Sequence, residues 1–196
     1  MTIKALEKAS ELWQNPQELI DYWASSAEKA KQEALIRDLL TNWLAGDIGC
    51  LVDVGCGVGR YAEALNELYT NYYGFDQSSA MIAEAIYRYT SNTVDTEFAC
   101  VDIMNFQGDG AYDTLICIDV LHHQNNPAEA MRRICNIWKA DDYVFSLLVG
   151  AERQDLFNST VISFDEFMTI YDFFDVMDTH IQRFDDNNFS WVVLHI

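Results

Sequence analysis

The stretch from residue 52 to residue 60, VDVGCGVGR, constrains the fold of this chain more than any other. An apolar run ends there in an acid and a valine, and a helical pattern begins at Arg60. Three alternate glycines separate the two, namely Gly55, Gly57 and Gly59. Glycine adopts positive φ without a steric penalty, and its missing Cβ lets a ligand approach the backbone. The stretch therefore predicts a strand, a tight turn and a helix start, with a ligand at the turn.

Strands that are apolar throughout alternate with helical patterns along most of the chain. The predicted strands cover residues 50–54, 72–75, 97–101, 114–118 and 143–149, and the predicted helices cover 61–69, 78–89, 127–138 and 164–174. Two closing strands, 176–184 and 189–196, flank a polar turn. Such alternation is typical of a parallel sheet with helices on both faces. We predict a doubly wound α/β fold with a mostly parallel, seven-stranded, Rossmann-like sheet and a C-terminal antiparallel hairpin.

The length of 196 residues, half of them apolar, predicts one domain over residues 1–196. Residues 1–46 form helical patterns and are interpreted as an N-terminal helical cap of that domain. Trp13, Tyr22 and Trp23 in this cap could belong to the core or form a lid over a pocket, and the sequence leaves both open.

Acidic residues follow three of the predicted strands. Asp76, Asp102 and Asp119 each stand at the carboxyl end of a strand pattern. In doubly wound folds ligands bind outside the carboxyl ends of the strands. We therefore expect these three carboxylates to line one crevice beside the glycine turn.

The charge and the cysteines exclude several classes of protein. With 12 Lys and Arg against 31 Asp and Glu, the net charge of -19 repels polyanions and disfavours nucleic acid as a partner. The five cysteines are odd in number and form no C-x-x-C pair, so we expect reduced thiols and no metal site. The absence of a signal-peptide pattern and of a membrane-length apolar run predicts a cytoplasmic protein without a membrane partner.

The glycine spacing bears on the kind of nucleotide. The dinucleotide fingerprint is G-x-G-x-x-G, but this chain has G-x-G-x-G with Arg60 at the place of the third glycine. Asp53, just before the turn, would oppose a pyrophosphate and suits a ligand with an ammonium or sulfonium group. A nicotinamide oxidoreductase is thus disfavoured and stays as an alternative.

Four segments, VDVGCGVGR, YYGFDQSSAM, FACVDIM and DTLICIDVLHHQNNPAEAMRRI, occur in this order between residues 52 and 134. Together they resemble the successive motifs of class I S-adenosylmethionine-dependent methyltransferases. The VLHH segment before a proline-started helix is similar to the small-molecule branch of that family. The resemblance implies transfer of a methyl group from S-adenosylmethionine to an O, N or C atom of a small molecule, with S-adenosylhomocysteine as product.

The resemblance also implies roles for individual residues. The turn would support the methionine part of the cofactor, with Asp53 at its amino end, and Asp76 would accept hydrogen bonds from both ribose hydroxyls. The expected cofactor-binding residues are Asp53, Gly55, Cys56, Gly57, Gly59, Asp76, Gln77, Met81, Asp102, Ile103, Asp119 and Val120.

His122 and His123 follow the strand that ends at Asp119 and are the candidate catalytic residues. Displacement at a sulfonium needs a general base only when the acceptor arrives protonated. The alternative is a structural role for both histidines. At the level of the whole chain, the alternative is a catalytically silent cofactor-binding protein that regulates or joins a complex. The sequence does not identify the acceptor or the oligomeric state.

Overall fold

A computed structural model describes residues 15–17, 20–21, 27–44, 48–89, 95–102, 111–156, 159–183 and 189–196 of the chain. The aromatic lid candidates Trp13, Tyr22 and Trp23, the cofactor candidate Ile103 and the polar turn at 185–188 lie outside the described residues. No helix within the described ranges has the length and apolar character needed to cross a membrane.

The described residues form nine strands. These are β1 Ile48–Val54, β2 Tyr69–Asp76, β3 Asp95–Cys100, β4 Ala111–Cys117, β5 Lys139–Gly150, β6 Gln154–Leu156, β7 Ser159–Ser163, β8 Asp178–Arg183 and β9 Phe189–His195. The helices are α1 Ala27–Trp43, α2 Arg60–Ala64, α3 Ser79–Tyr89, α4 Pro127–Ile137 and α5 Phe164–Phe174, and a 3-10 turn spans Leu121–His123.

Seven of these strands form the sheet that the sequence predicted, in the order β3-β2-β1-β4-β5-β9-β8. The pairs β1–β2, β1–β4, β2–β3 and β4–β5 are parallel. β9 is antiparallel to both β5 and β8, so β8 runs in the same direction as β5. The predicted mostly parallel sheet with a C-terminal antiparallel hairpin is confirmed.

The two faces of the sheet bury separate apolar clusters. Val52 and Val54 of β1 pack with α4 and α5, whereas Leu51 packs with Ile36 and Leu40 of α1. Because side chains alternate along a strand, Asp53 shares the face of Leu51, on the side of α1. Helices on both faces confirm the doubly wound arrangement.

The hairpin of β6 and β7 was not predicted from the sequence, which indicated only a short connection between residues 149 and 163. β7 pairs in parallel with Val149 and Gly150 of β5. β4 makes its last pair with β5 at Cys117 and Phe145, so β7 occupies the place beside β5 that β4 leaves free. The polar residues 152–155 conceal this hairpin, because they lack the alternation of a half-buried strand.

The predicted helix over residues 61–69 is wrong in its length. α2 ends at Ala64, and residues 65–68 form turns. The turns bring Tyr69 beside Ile48, where β2 begins its pairing with β1, and the amide of Ile48 donates to the carbonyl of Leu68 at 2.8 Å. If α2 continued to residue 69, Tyr69 could not pair with Ile48 at the start of β2.

Polar caps begin three of the helices. The sequence predicts a capping box of Ser163 and Glu166 at α5 and an Asn126 cap before Pro127 at α4, and the structure confirms both. For α3 the sequence offers two possible cap residues, Ser78 and Ser79. The structure assigns the cap to Ser78, whose hydroxyl accepts from the amide of Met81 at 3.3 Å.

Ser78→Ala is expected to lower the free energy of unfolding by about 1 kcal/mol, because the amide of Met81 loses its acceptor. Ser79→Ala is the matched control. Ser79 is exposed at the first position of the same helix, so its loss is expected to change stability by less than about 0.5 kcal/mol. Chemical denaturation of the two variants measures the difference, and equal losses would contradict the assignment of the cap.

Candidate functional site

The glycine turn joins β1 to α2 in a left-handed backbone conformation. Gly55, Gly57 and Gly59 have φ values of 83°, 55° and 77°. The amides of Gly55 and Cys56 both donate to the carbonyl of Phe75, at 2.7 and 3.1 Å. These bonds fasten the turn to the end of β2.

Two of the glycines are also required by close packing within the protein. A Cβ on Gly55 would lie 2.3 Å from Cγ2 of Val120, and one on Gly59 would lie 2.7 Å from Cε2 of Tyr89. The sequence interpretation gave all three glycines to the ligand. The structure adds a packing reason for Gly55 and Gly59 and brings Val120 against the turn.

Asp76 holds the turn from the carboxyl end of β2. Its Oδ2 accepts from the amide of Gly57 at 2.9 Å, and its Oδ1 accepts from the amide of Ser78 at 2.8 Å. Burial raises the pKa of Asp76, and the backbone donors of Ser78, Gly57 and Gln77 oppose that rise. A carboxylate has about four acceptor positions, so these donors leave capacity for a ligand hydroxyl.

Asp53 lies on the same side of the sheet as α1, immediately before the turn. Its side chain is buried, and the hydroxyl of Tyr72 donates to its Oδ2 at 2.5 Å. Burial raises its pKa to about 7, against the opposing influence of Tyr72 and Arg60. The structure thus places Asp53 beneath the turn.

Asp119 follows β4 with a left-handed backbone, φ 59°, which is uncommon for a residue with a side chain. Its Oδ2 accepts from Nζ of Lys29 at 2.8 Å, and its Oδ1 accepts from the indole of Trp191 at 3.0 Å. Its amide donates to the hydroxyl of Ser146 at 2.7 Å. These contacts come from α1, β9 and β5 and fix the carboxylate at the crevice.

Arg60 completes a network of charges between α1 and the crevice. Its guanidinium lies 3.5 Å from Oδ2 of Asp119 and 3.3 Å from Oε1 of Glu33. Burial would raise the pKa of Asp119, but Lys29 and Arg60 outweigh that influence and lower it to about 2. Lys29, Glu33, Arg60 and Asp119, here called the charge tetrad, carry two positive and two negative charges.

The two histidines lie beside this network, and His122 is half-buried whereas His123 is exposed. The Nδ1 atom of His122 is buried and has no hydrogen-bond partner among the residues that the structure describes, and the His122 and His123 rings lie 4.1 Å apart between centroids. Burial and the neighbouring His123 lower the pKa of His122 to about 3. His123 is exposed.

The other predicted cofactor residues have varied surroundings. The thiol of Cys56 is buried and lies 3.7 Å from the carbonyl oxygen of Gly57, while Met81 is buried in the core. Gln77 and Asp102 are exposed, and β3 ends at Cys100, two residues before Asp102. The structure therefore gathers Asp53, the turn, Asp76, Asp119 and Val120, and leaves Gln77 and Asp102 at the solvent-facing border. No cluster of three or more potential metal ligands occurs among the residues that the structure describes.

Sequence reasoning missed Lys29, Glu33, Ser146 and Trp191. The sequence held a signal for Lys29 and Glu33: they lie four residues apart, which is the spacing of neighbouring side chains on one face of a helix. The pairing of Trp191 with Asp119, 72 positions earlier in the chain, depends on β9 lying beside β5 and leaves no local pattern.

Comparisons with known proteins agree with this geometry. Residues 23–195 match the model of a family described as a methyltransferase domain. The chain is 27% identical over 116 residues to the ubiquinone biosynthesis O-methyltransferase of Pseudomonas aeruginosa, a match that covers 56% of this chain and 50% of that protein. The chain thus spans about half the length of this curated relative.

Solved structures share the fold. The magnesium protoporphyrin IX methyltransferase of Synechocystis with bound S-adenosylmethionine has a TM-score of 0.64 at 21% identity, covering 84% of this chain and 77% of that chain. The (4+2)-cyclase SpnF has a TM-score of 0.70 at 17% identity, covering 87% of this chain and 83% of that chain. Since the family model matches most of the chain, the protein belongs to the methyltransferase-domain family.

Proposed function

We propose that this protein transfers a methyl group from S-adenosylmethionine to a small molecule by in-line displacement. The observation that carries the proposal is the carboxylate of Asp76, held by two backbone amides beside a left-handed glycine turn. The relative named an O-methyltransferase makes oxygen the first acceptor to test among oxygen, nitrogen and carbon.

The chemistry of the site fits this cofactor at two points. The carboxylate of Asp76 retains acceptor capacity for a hydroxyl of a vicinal diol such as that of ribose. The charge tetrad offers both signs beside the turn, which matches an amino-acid zwitterion: Asp119 suits the ammonium group, and Lys29 and Arg60 suit the carboxylate. Gln77, Met81, Asp102 and Ile103 are the proposed contacts of the adenine.

The bound cofactor would supply an activated methyl group whose leaving group needs no proton. The protein then has to orient the acceptor and exclude water, and such positioning can remove several kcal/mol of the barrier. Because its pKa lies near 3, His122 stays neutral at physiological pH and suits a hydrogen bond to the acceptor better than proton abstraction. His123, exposed beside it, is the candidate base.

A second candidate is a cofactor-binding protein without methyl transfer. The name of SpnF describes a cyclase on the same fold, and a fold alone does not determine the reaction.

The test that separates the two candidates incubates the present protein with radiolabelled S-adenosylmethionine and a metabolite extract. A labelled small-molecule product supports the transferase, whereas tight cofactor binding without product supports the silent protein.

Asp76→Ala is expected to weaken binding of S-adenosylhomocysteine by more than about tenfold, because charge-assisted hydrogen bonds are lost. Calorimetry measures the affinity, and thermal unfolding without ligand checks the fold. Asp95→Ala is the matched control, since Asp95 is exposed at the opposite end of the neighbouring strand β3. Unchanged affinity in Asp76→Ala would contradict the ribose assignment.

Lys29→Met is expected to reduce affinity for S-adenosylhomocysteine by about tenfold, the size of one charge-assisted hydrogen bond. Its affinity for 5′-methylthioadenosine, which lacks the amino-acid part, should not change. Lys31→Met serves as control, because Lys31 is exposed on the same helix. An equal loss for both ligands would instead indicate a general effect of α1 on the crevice.

The pH dependence of methyl transfer separates the histidines. With a pKa of about 3, His122 contributes no ionisation between about pH 5 and pH 9, so His122→Gln should alter the rate without moving the pH profile. If His123 is the base, His123→Gln removes the acidic limb of the profile. A limb that disappears in His122→Gln alone would refute this division of roles.

A further inference from the structure

We propose that Asp53 is a specificity-determining residue: its buried carboxylate, when ionised, favours the positively charged sulfonium cofactor over the uncharged thioether product. This inference rests on the proposed function and assigns a further property to the same site. It concerns the difference between two ligands that share every group except the methyl on sulfur.

Asp53 lies beside the glycine turn, so its charge acts on a ligand there even without direct contact. It is the residue two before Gly55, with 1% of its surface exposed, and Tyr72 holds it from within the core. The turn above it is the proposed seat of the amino-acid half of the cofactor. In a buried site of low dielectric, a charge acts over several ångströms with little screening.

The burial of Asp53 makes it a group whose charge changes near neutral pH. The titratable groups that act on it from the elements around it are Tyr69, Tyr72, Asp76, Arg60, Tyr61, Cys56 and Cys117. Burial raises the pKa of each of these tyrosines and cysteines, so they stay uncharged. Arg60 stays cationic and is shared with Asp119 and Glu33. By contrast, burial brings the pKa of Asp53 to about 7.

The other carboxylates of the site also attract a sulfonium, but the low pKa of Asp119 keeps its charge constant near neutral pH. Asp76 and the charge tetrad are assigned to ribose hydroxyls and to an amino-acid zwitterion, and both ligands carry these groups. Only the sulfonium charge differs between the two ligands, and the carboxylate of Asp53 beside the turn is a negative charge that changes with pH in the range where the others named here do not. Ionised Asp53 therefore lowers the relative affinity of the product and favours its exchange for fresh cofactor.

Tyr72 is a positioning residue in this scheme, because it acts through Asp53. Its hydroxyl donates to the carboxylate and stabilises the ionised form. Tyr72→Phe removes this donor, so the ionisation of Asp53 should move to higher pH. A role in packing alone would leave the pH midpoint in place.

The test measures dissociation constants of both ligands by calorimetry on the full chain without acceptor, from about pH 5.5 to about pH 8.5. The ratio of the constant for S-adenosylhomocysteine to that for S-adenosylmethionine should rise at least about threefold across this range. In Asp53→Asn the rise should disappear apart from titration of the ligands themselves, and in Tyr72→Phe its midpoint should shift upward. Asp172→Asn, which removes an exposed charge on α5, should match the unaltered protein.

A ligand-free readout follows the same ionisation. The folded-state pKa of Asp53, about 7, exceeds its ordinary value of 3.8, so its contribution to stability is complete below about pH 4 and is lost as pH rises to about 7. Asp53→Asn should therefore gain stability relative to the unaltered protein over this range. If Asp53→Asn shows no such gain in stability, the assigned ionisation of Asp53 is overturned.

The outcomes separate the inference from the proposed function. A ratio that is constant with pH, or that rises equally in Asp53→Asn, overturns the inference while tight binding of both ligands upholds the proposed function. If neither ligand binds at any pH, the proposed function fails and takes the inference with it. If Asp53→Asn does not fold, the shift in Tyr72→Phe decides the matter.

Discussion

The site depends on the attachment of the glycine turn to the end of β2. The carbonyl of Phe75 accepts two amides of the turn, and the carboxylate of Asp76 accepts a third, from Gly57. A left-handed turn of glycines is costly in conformational entropy, since glycine has the most freedom to lose. These bonds to a neighbouring buried strand fix it in one conformation, so the crevice is formed before any ligand arrives.

The helix α1 gives the crevice its second wall, through packing and through charge. Ile36 and Leu40 anchor α1 to the sheet, while Lys29 and Glu33, nearer its start, reach Asp119 and Arg60. Partly buried ions cost free energy unless they are paired, and here each is paired with a neighbour of opposite sign. The paired network therefore allows four charged side chains to remain beside the turn, where the ammonium and carboxylate groups of a zwitterion can form ion pairs with them.

Local patterns in the sequence were sufficient for the sheet and for most of the crevice. Uniformly apolar strands, cap residues such as Ser163 and acids at strand ends each depend on neighbours within a few positions, and the structure confirms the mostly parallel sheet and the capping box that they predict. The β6–β7 hairpin escaped prediction because its first strand is polar, without the alternation of a half-buried strand. The contacts of Trp191 escaped for another reason: they depend on which distant strand lies alongside, and no short stretch of residues encodes that. The raised pKa of Asp53 also could not be predicted from the sequence, because it follows from burial by residues that lie far apart in the chain.

The left-handed backbone of Asp119 places two separate demands on one position. The conformation favours glycine, asparagine or aspartate, since other side chains crowd the backbone there. The ammonium of Lys29 and the guanidinium of Arg60 require an anion. Glycine and asparagine meet the first demand and fail the second, and glutamate does the reverse. Aspartate alone satisfies both, so position 119 tolerates no other amino acid without loss of either shape or charge balance.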